Sequence, residues 1–176
     1  MGMCFLTPKA SPVRTDTLGQ RSIAIEFIAA GETVAAFGGR CVTREELVLP
    51  NTNPQPRALQ IDEDIYMVGT TEPLQDGFIN HRCDPNCGMR GAVLVVALRD
   101  IEPGEELSYD LAMCDGDTDN EFACDCGAAT CRGLVTGHDW MRPDLQLQYR
   151  GYFSPFLARR IAELAPVGAE RRAFAY

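Results

Sequence analysis

Lysine is nearly absent from this chain of 176 residues: Lys9 stands alone, and the other fifteen basic residues are arginines. Basic residues of either kind are outnumbered, 16 against 25 acidic, for a formal charge of −9 and a pI near 4.7. Coating nucleic acid requires a basic face that neutralises phosphates, so no direct nucleic-acid binding is expected; a cationic partner fits the charge better. Long hydrophobic runs are missing as well. The longest, Ala92 to Leu98, falls far short of the ~20 residues a membrane helix needs, and the N-terminus lacks the charged start and apolar stretch of a secretory signal. The expectation is a soluble, cytoplasmic protein without a membrane partner. Histidine is scarce, with only His81 and His138. What is plentiful is apolar residues, 45% of the chain and enough for a core, and cysteine, of which there are eight. In a reducing compartment such cysteines read as metal ligands or buried thiols rather than disulfides.

No internal repeat breaks the chain into units. Residues 1–18 are rich in Pro, Ser and Thr and read as a loose lead-in. From Arg21 the residues alternate, Ile23, Ile25 and Phe27 on one side and Ser22, Ala24 and Glu26 on the other, which predicts a strand with the Ile/Phe face buried. Thr33–Phe37 reads as the returning strand of a hairpin. Thr43 with Glu46 three residues on is a helix-start signature that Pro50 stops. Pro54 and Pro56 mark a loop. Short strands are expected at Leu59–Ile61 and Ile65–Val68 and a fully buried one at Val93–Leu98, and Leu107–Leu111 resumes as a strand after turn chemistry. Helices belong to the C-terminus: Pro143–Tyr149, then one opened by Ser154-Pro155 with Leu157, Ile161 and Leu164 at helical spacing. The fold class is mainly β with a short helical tail. Trp140, Tyr149, Tyr152, Phe153 and Phe156 give that tail an aromatic surface for core packing or for self-association into a homo-oligomer.

The sharpest chemical signal is Cys124-x-Cys126-x4-Cys131. Three thiols within eight residues, with Gly127 and Gly133 permitting tight turns, can wrap one ion, and zinc is favoured over an iron–sulfur cluster. A structural zinc takes four ligands. The fourth is open among Cys83, Cys87, Cys114, His81 and His138. Asp115-x-Asp117-x-Asp119-x-Glu121 imitates the start of a calcium loop but lacks its glycine and later glutamate, and reads as a solvated acidic loop.

Phe78-Ile79-Asn80-His81-Arg82-Cys83-Asp84-Pro85-Asn86-Cys87 resembles the Asn-His-x-Cys segment of SET-domain lysine methyltransferases. Glu105-Glu106-Leu107-Ser108-Tyr109-Asp110 is similar to that family's next block, Phe122 through Gly133 to its post-SET zinc segment, and Ile28 through Val34 to its opening strands. The matches run in family order. They imply a SET fold of small sheets with a pseudoknot over residues 19–113, a zinc-bound post-SET segment over 114–137 and a tail over 138–176. The resemblance implies S-adenosylmethionine and Zn2+ as cofactors and a basic protein or peptide as substrate. It implies that the metal is held by Cys83, Cys124, Cys126 and Cys131, with Cys87 as second choice for the first of these. Asn80 and His81 would bind the cofactor, the turn Gly19-Gln20-Arg21-Ser22 would lie against its amino-acid end, and Phe122 and Leu134 would cover it.

The chain also departs from the family. The glycine-rich cofactor turn reads Gly19-Gln20-Arg21, Gly77 replaces an arginine, and Arg82 replaces the serine beside Asn80-His81. At the catalytic end the family's Tyr-Asp-Tyr becomes Tyr109-Asp110-Leu111. Tyr109, Leu111 and Arg82 are therefore the residues on which the chemistry turns. Leucine offers no oxygen to the reacting groups, a loss on the order of 10²–10³ in rate for one preorganised polar group. Two other readings follow from these departures. One is a SET scaffold acting on a small molecule against an apolar wall at Leu111 with a fixed cation at Arg82. The other is a non-catalytic binding module.

Overall fold

The computed structural model describes residues 2–15, 19–47, 58–69 and 79–164. Pro50, Pro54, Pro56, Gly77 and Phe78, together with the tail beyond Leu164, lie outside them. Four strands, β1 (Gly2–Leu6), β4 (Thr33–Gly38), β10 (Leu94–Ala97) and β9 (Cys87–Arg90), make an antiparallel sheet in that order. Its centre is β10, where Val95, Val96 and Ala97 are buried as the unbroken apolar run predicts. A second pair, β2 (Ala10–Thr15) and β3 (Gly19–Ala24), lies antiparallel with Ala10 opposite Ala24. A three-stranded sheet has the order β5 (Arg40–Thr43), β7 (Ile65–Val68), β6 (Ala58–Asp62). The β6 and β7 strands stand where the sequence placed them.

Three expectations about the N-terminal strands are corrected. Residues 2–15 are not a loose lead-in: they form β1 and β2, and Met3 is buried in the core. Their Pro12 is tolerated because both strands of a two-stranded ribbon are edges, where a missing N–H need not break a ladder. The buried face of β3 is also the opposite of the one expected, since Ser22 and Ala24 are enclosed while Ile25 is 54% and Phe27 45% exposed. The reason is close backbone approach. Ala24 N–H donates to the Glu105 carbonyl at 2.9 Å and Leu107 N–H to the Ser22 carbonyl at 2.8 Å, leaving room only for small side chains. Beyond Ala24 both Ile25 and Glu26 turn their N–H groups to the Lys9 carbonyl, so the alternation ends there. Nor does β4 return on β3 as a hairpin; it lies between β1 and β10.

The reciprocal Thr43–Glu46 cap does form, with Glu46 Oε2 accepting from Thr43 N at 3.0 Å, but only a single turn follows it. With proline so near, no second turn remains to offset the cost of nucleating a helix.

Two very short strands deliver the chain to its functional end. β8 (Asn80–His81) pairs in parallel with β11 (Ser108–Tyr109), Asn80 opposite Ser108 and His81 opposite Tyr109. A 3-10 turn, Leu111–Met113, follows directly, so the chain does not continue as strand to Leu111. β12 (Glu121–Ala123) and β13 (Leu134–Thr136) then bracket the cysteine loop. A further 3-10 turn (Asp139–Met141), α1 (Pro143–Gln148) and α2 (Pro155–Leu164) complete the described residues, each helix with proline at its start as expected. Trp140, Phe156 and Leu157 form a second apolar cluster, and Tyr149 joins the main core. The tail's largest aromatics are thus packed within the chain. Leu164, the last of its helical stripe, is exposed. Among the described residues no helix is long and apolar enough to cross a membrane.

Candidate cofactor cavity and metal centre

The sulfurs of Cys83, Cys124, Cys126 and Cys131 all lie within 4.8 Å of one another. A tetrahedral zinc with Zn–S near 2.3 Å sets its sulfurs about 3.8 Å apart, and Cys83 Sγ to Cys124 Sγ is 3.9 Å. The residues present therefore fit such an ion. The loop closes through Gly127 and Gly133, both at φ +71°, a backbone region that residues with a Cβ rarely adopt. Backbone N–H groups serve the sulfurs as they do in thiolate centres: Cys83 N donates to Cys126 Sγ at 3.5 Å and Arg132 N to Cys83 Sγ at 3.4 Å. Burial pushes the Cys83 thiol up and that of Cys124 to about 12; at Cys126 burial also opposes ionisation, but hydrogen bonds from the Cys83 and Ala128 N–H groups together with those of the Cys124 and Cys131 thiols bring it down to about 7.

The other candidates for the fourth ligand lie elsewhere. Cys87 sits in β9 beside the Asn86 amide oxygen, its thiol pushed to about 12 by burial. Cys114 is enclosed in the core, and His138 is exposed. His81 comes nearest, its Nε2 3.4 Å from Cys83 Sγ.

Next to this centre is a cavity of about 540 Å³ whose wall includes Arg21, Asn80, His81, Arg82 and Cys126. Three guanidiniums (Arg21, Arg82, Arg99) and four carboxylates (Asp84, Glu105, Glu106, Asp125) give it both signs of charge. Arg99 grips Glu105 at 2.6 and 3.0 Å, and Arg21 faces Glu106 at 3.6 Å. A zwitterionic ligand carrying a further positive centre suits such a lining. Asn80 is a brace as much as a wall: its Nδ2 donates to the Gln20 carbonyl at 3.0 Å and to Glu106 Oε1 at 3.2 Å. The Gly19–Ser22 segment, expected as a turn, is strand. Arg21 reaches the cavity, Gln20 is pinned by Asn80, Ser22 faces the core, and Gly19 pairs with Thr15.

Phe122 stands edge-on to His81, ring centroids 5.5 Å apart. It pairs across the hairpin with buried Val135, while Leu134 pairs with Ala123 and is 50% exposed. Pairs across a ladder share a face and successive residues alternate, so Phe122 and Leu134 lie on opposite faces. Tyr109 is buried with its ring 5.9 Å from Phe37. Leu111 is 7% exposed, and its N–H donates to His81 Nδ1 at 3.3 Å. Arg82 is exposed at the cavity, its own N–H given to the Tyr109 carbonyl at 3.0 Å. Of the two, Arg82 lines this cavity and Leu111 does not.

The SET domain family matches residues 21–111. The chain belongs to the SET-domain family. Relatives include the histone-lysine N-methyltransferases, H3 lysine-4 specific, of Saccharomyces cerevisiae, 32% identical over 126 residues and 64% of this chain, and of Schizosaccharomyces pombe, 33% identical over 137 residues and 70% of this chain. The chain spans only 12% and 14% of those two proteins. Among solved structures, KRYPTONITE in complex with mCHH DNA, H3(1-15) peptide and SAH overlays 73% of this chain and 30% of its own at a TM-score of 0.54 and 24% identity, a likeness of fold. The matched range includes Cys83, whereas the loop with Cys124, Cys126 and Cys131 and the tail lie beyond it.

Sequence reading missed several residues of the site. Asn86 is buried and joins the two halves, its Nδ2 donating to the Glu106 carbonyl and its Oδ1 accepting from Ser108 N, both at 2.9 Å. Glu106 anchors Asn80 and faces Arg21. The acidic loop is less solvated than expected, since Asp117 pairs with Arg44 at 3.2 Å and accepts from the Tyr66 hydroxyl.

Proposed function

We propose that this chain is an S-adenosylmethionine-dependent, zinc-containing protein lysine methyltransferase domain whose substrate is a basic protein tail of the histone kind. The observation that carries the reading is the placement of Asn80 and His81 on the wall of a cavity that also includes Cys126 of the four-sulfur centre. The charges of the lining fit the cofactor, and its sulfonium, when bound, supplies an electrophilic methyl group. Cys83, Cys124, Cys126 and Cys131 would hold the zinc, pinning the loop that closes this side of the cavity.

The chain's own residues then have separable tasks. Asn80 and Glu106 keep Gln20 and Arg21 against the cavity. Phe122 holds the His81 ring from the side. Tyr109 and Leu111 would align the target amine. With Leu111 offering no hydroxyl, transfer is expected to be slow. The domain's acidity favours a cationic substrate.

The test is incubation of zinc-loaded protein with S-adenosylmethionine and a peptide of the first residues of histone H3, read by mass spectrometry. A lysine gaining 14 Da supports the proposal. No product on that peptide or on whole core histones, with cofactor binding intact, rejects it.

A further inference from the structure

Asp110, between Tyr109 and Leu111, is fully enclosed. A buried carboxylate must be paired and hydrogen-bonded or it is prohibitively costly, and this one is saturated. Arg132 grips it with two nitrogens, Nη1 to Oδ2 at 2.6 Å and Nη2 to Oδ1 at 2.8 Å. Ala112 N donates to it at 2.9 Å and the Tyr149 hydroxyl at 3.0 Å. The remaining guanidinium nitrogen of Arg132, Nε, donates to Asp139 Oδ2 at 2.8 Å. Arg132 itself is only 5% exposed. Four segments meet in this hub: the end of β11, the cysteine loop, the 3-10 turn at Asp139 and α1 with Tyr149. The last three lie beyond the range matched by the family.

Both ends of Cys83 are held by this hub. Its sulfur accepts from the Arg132 backbone N–H at 3.4 Å, and its carbonyl lies 3.4 Å from the Tyr149 hydroxyl. The cavity residue His81, two positions earlier, has Nδ1 3.5 Å from Asp110 Oδ1. Buried ionic networks add little net stability over apolar packing but impose one geometry, because breaking a member strands a charge. The geometry imposed here is that of a metal ligand and the wall next to it.

We infer that Asp110, Arg132 and Tyr149 are positioning residues that orient Cys83, so that the Tyr149 hydroxyl, carried in by the C-terminal segment, tightens metal retention and, through it, the cofactor cavity. The inference rests on the zinc and cofactor reading proposed above. Groups that orient a metal's ligands typically contribute on the order of 10–100-fold to its affinity.

The test uses the full zinc-loaded chain. Tyr149→Phe deletes only the hydroxyl. Arg160→Met loosens the same tail elsewhere, removing the contact of Arg160 with Glu63 and its stacking over Trp140. Zinc release to a chromophoric chelator is measured, with S-adenosylhomocysteine affinity by calorimetry. Tyr149→Phe is expected to release zinc roughly tenfold faster and to bind the ligand more weakly, while Arg160→Met stays within about twofold of the parent in both. Release from Tyr149→Phe at the parental rate, or equal acceleration in Arg160→Met, overturns the inference, as does a parent that holds no stoichiometric metal. If Tyr149→Phe does not fold, Arg132→Lys, which keeps the charge but loses the fork, is read by the same criteria. A parent that retains zinc but methylates nothing would reject the proposed activity and leave this comparison standing.

Discussion

The sulfurs of Cys83 and Cys124 are 3.9 Å apart although 41 positions separate the two residues. What brings them together is the parallel register of Asn80–His81 on Ser108–Tyr109, which sets Cys83 at the mouth of the cysteine loop. Elemental analysis should therefore find one zinc per chain. Cys83→Ser should lose it, and Cys87→Ala should keep it because Cys87 sits in β9 outside the quartet. Chelation should lower the melting temperature and expose the loop to protease, since thiolate-metal binding energy is also folding energy.

Leu111→Tyr restores a hydroxyl beside Tyr109 and Asp110. Methyl transfer should rise by on the order of 10²–10³ if that group is what the chain lacks. The larger side chain enters an enclosed site and should cost about 1–3 kcal/mol of stability. Rate by isotope transfer and melting temperature should thus move in opposite directions.

The corrected face of β3 is open to test by stability alone. Ile25→Ser should change unfolding free energy by less than about 0.5 kcal/mol, as an exposed site does. Ala24→Leu should destabilise by about 1–3 kcal/mol through overpacking against the Glu105–Leu107 segment. Denaturant titration of both variants decides the matter.

How much of this was legible beforehand depended on which signal each residue carried. The metal quartet was readable because cysteines at Cys124, Cys126 and Cys131 have few alternative uses in a glycine-bearing loop, and the family resemblance supplied Cys83. The buried run at Val95 and Val96 announced itself by composition. The β3 face was misread because hydrophobic patterning weighs side-chain size, whereas backbone proximity selected Ser22 and Ala24. The lead-in was misread because proline and serine suit an edge strand as well as a loop. Asp110 did carry a signal, an acid set between Leu107 and Met113 that would need partners, but nothing in the sequence named Arg132, Asp139 and Tyr149 as those partners. Such pairings depend on the fold that brings distant segments together.

Acid sensitivity follows from the Arg99–Glu105 pair. The guanidinium holds the Glu105 carboxyl below its ordinary 4.5, so the folded state binds this proton less readily than the unfolded one. The pair's contribution is present above pH 4.5 and is lost as pH falls through the lower folded value. With Arg99 half exposed, it amounts to about 0.5 kcal/mol. Glu105→Gln should differ from the parent in stability at pH 6 and converge with it on acidification, as followed by denaturant midpoints across pH.

The account stands on a cofactor cavity whose wall is held by a metal clasp. Calorimetry with S-adenosylhomocysteine on zinc-loaded, chelator-stripped and zinc-restored protein tests this directly. Binding of one equivalent to the loaded form, its loss on stripping and its return with zinc are the expected results. No binding to the loaded form, or the same binding with and without zinc, would contradict the account.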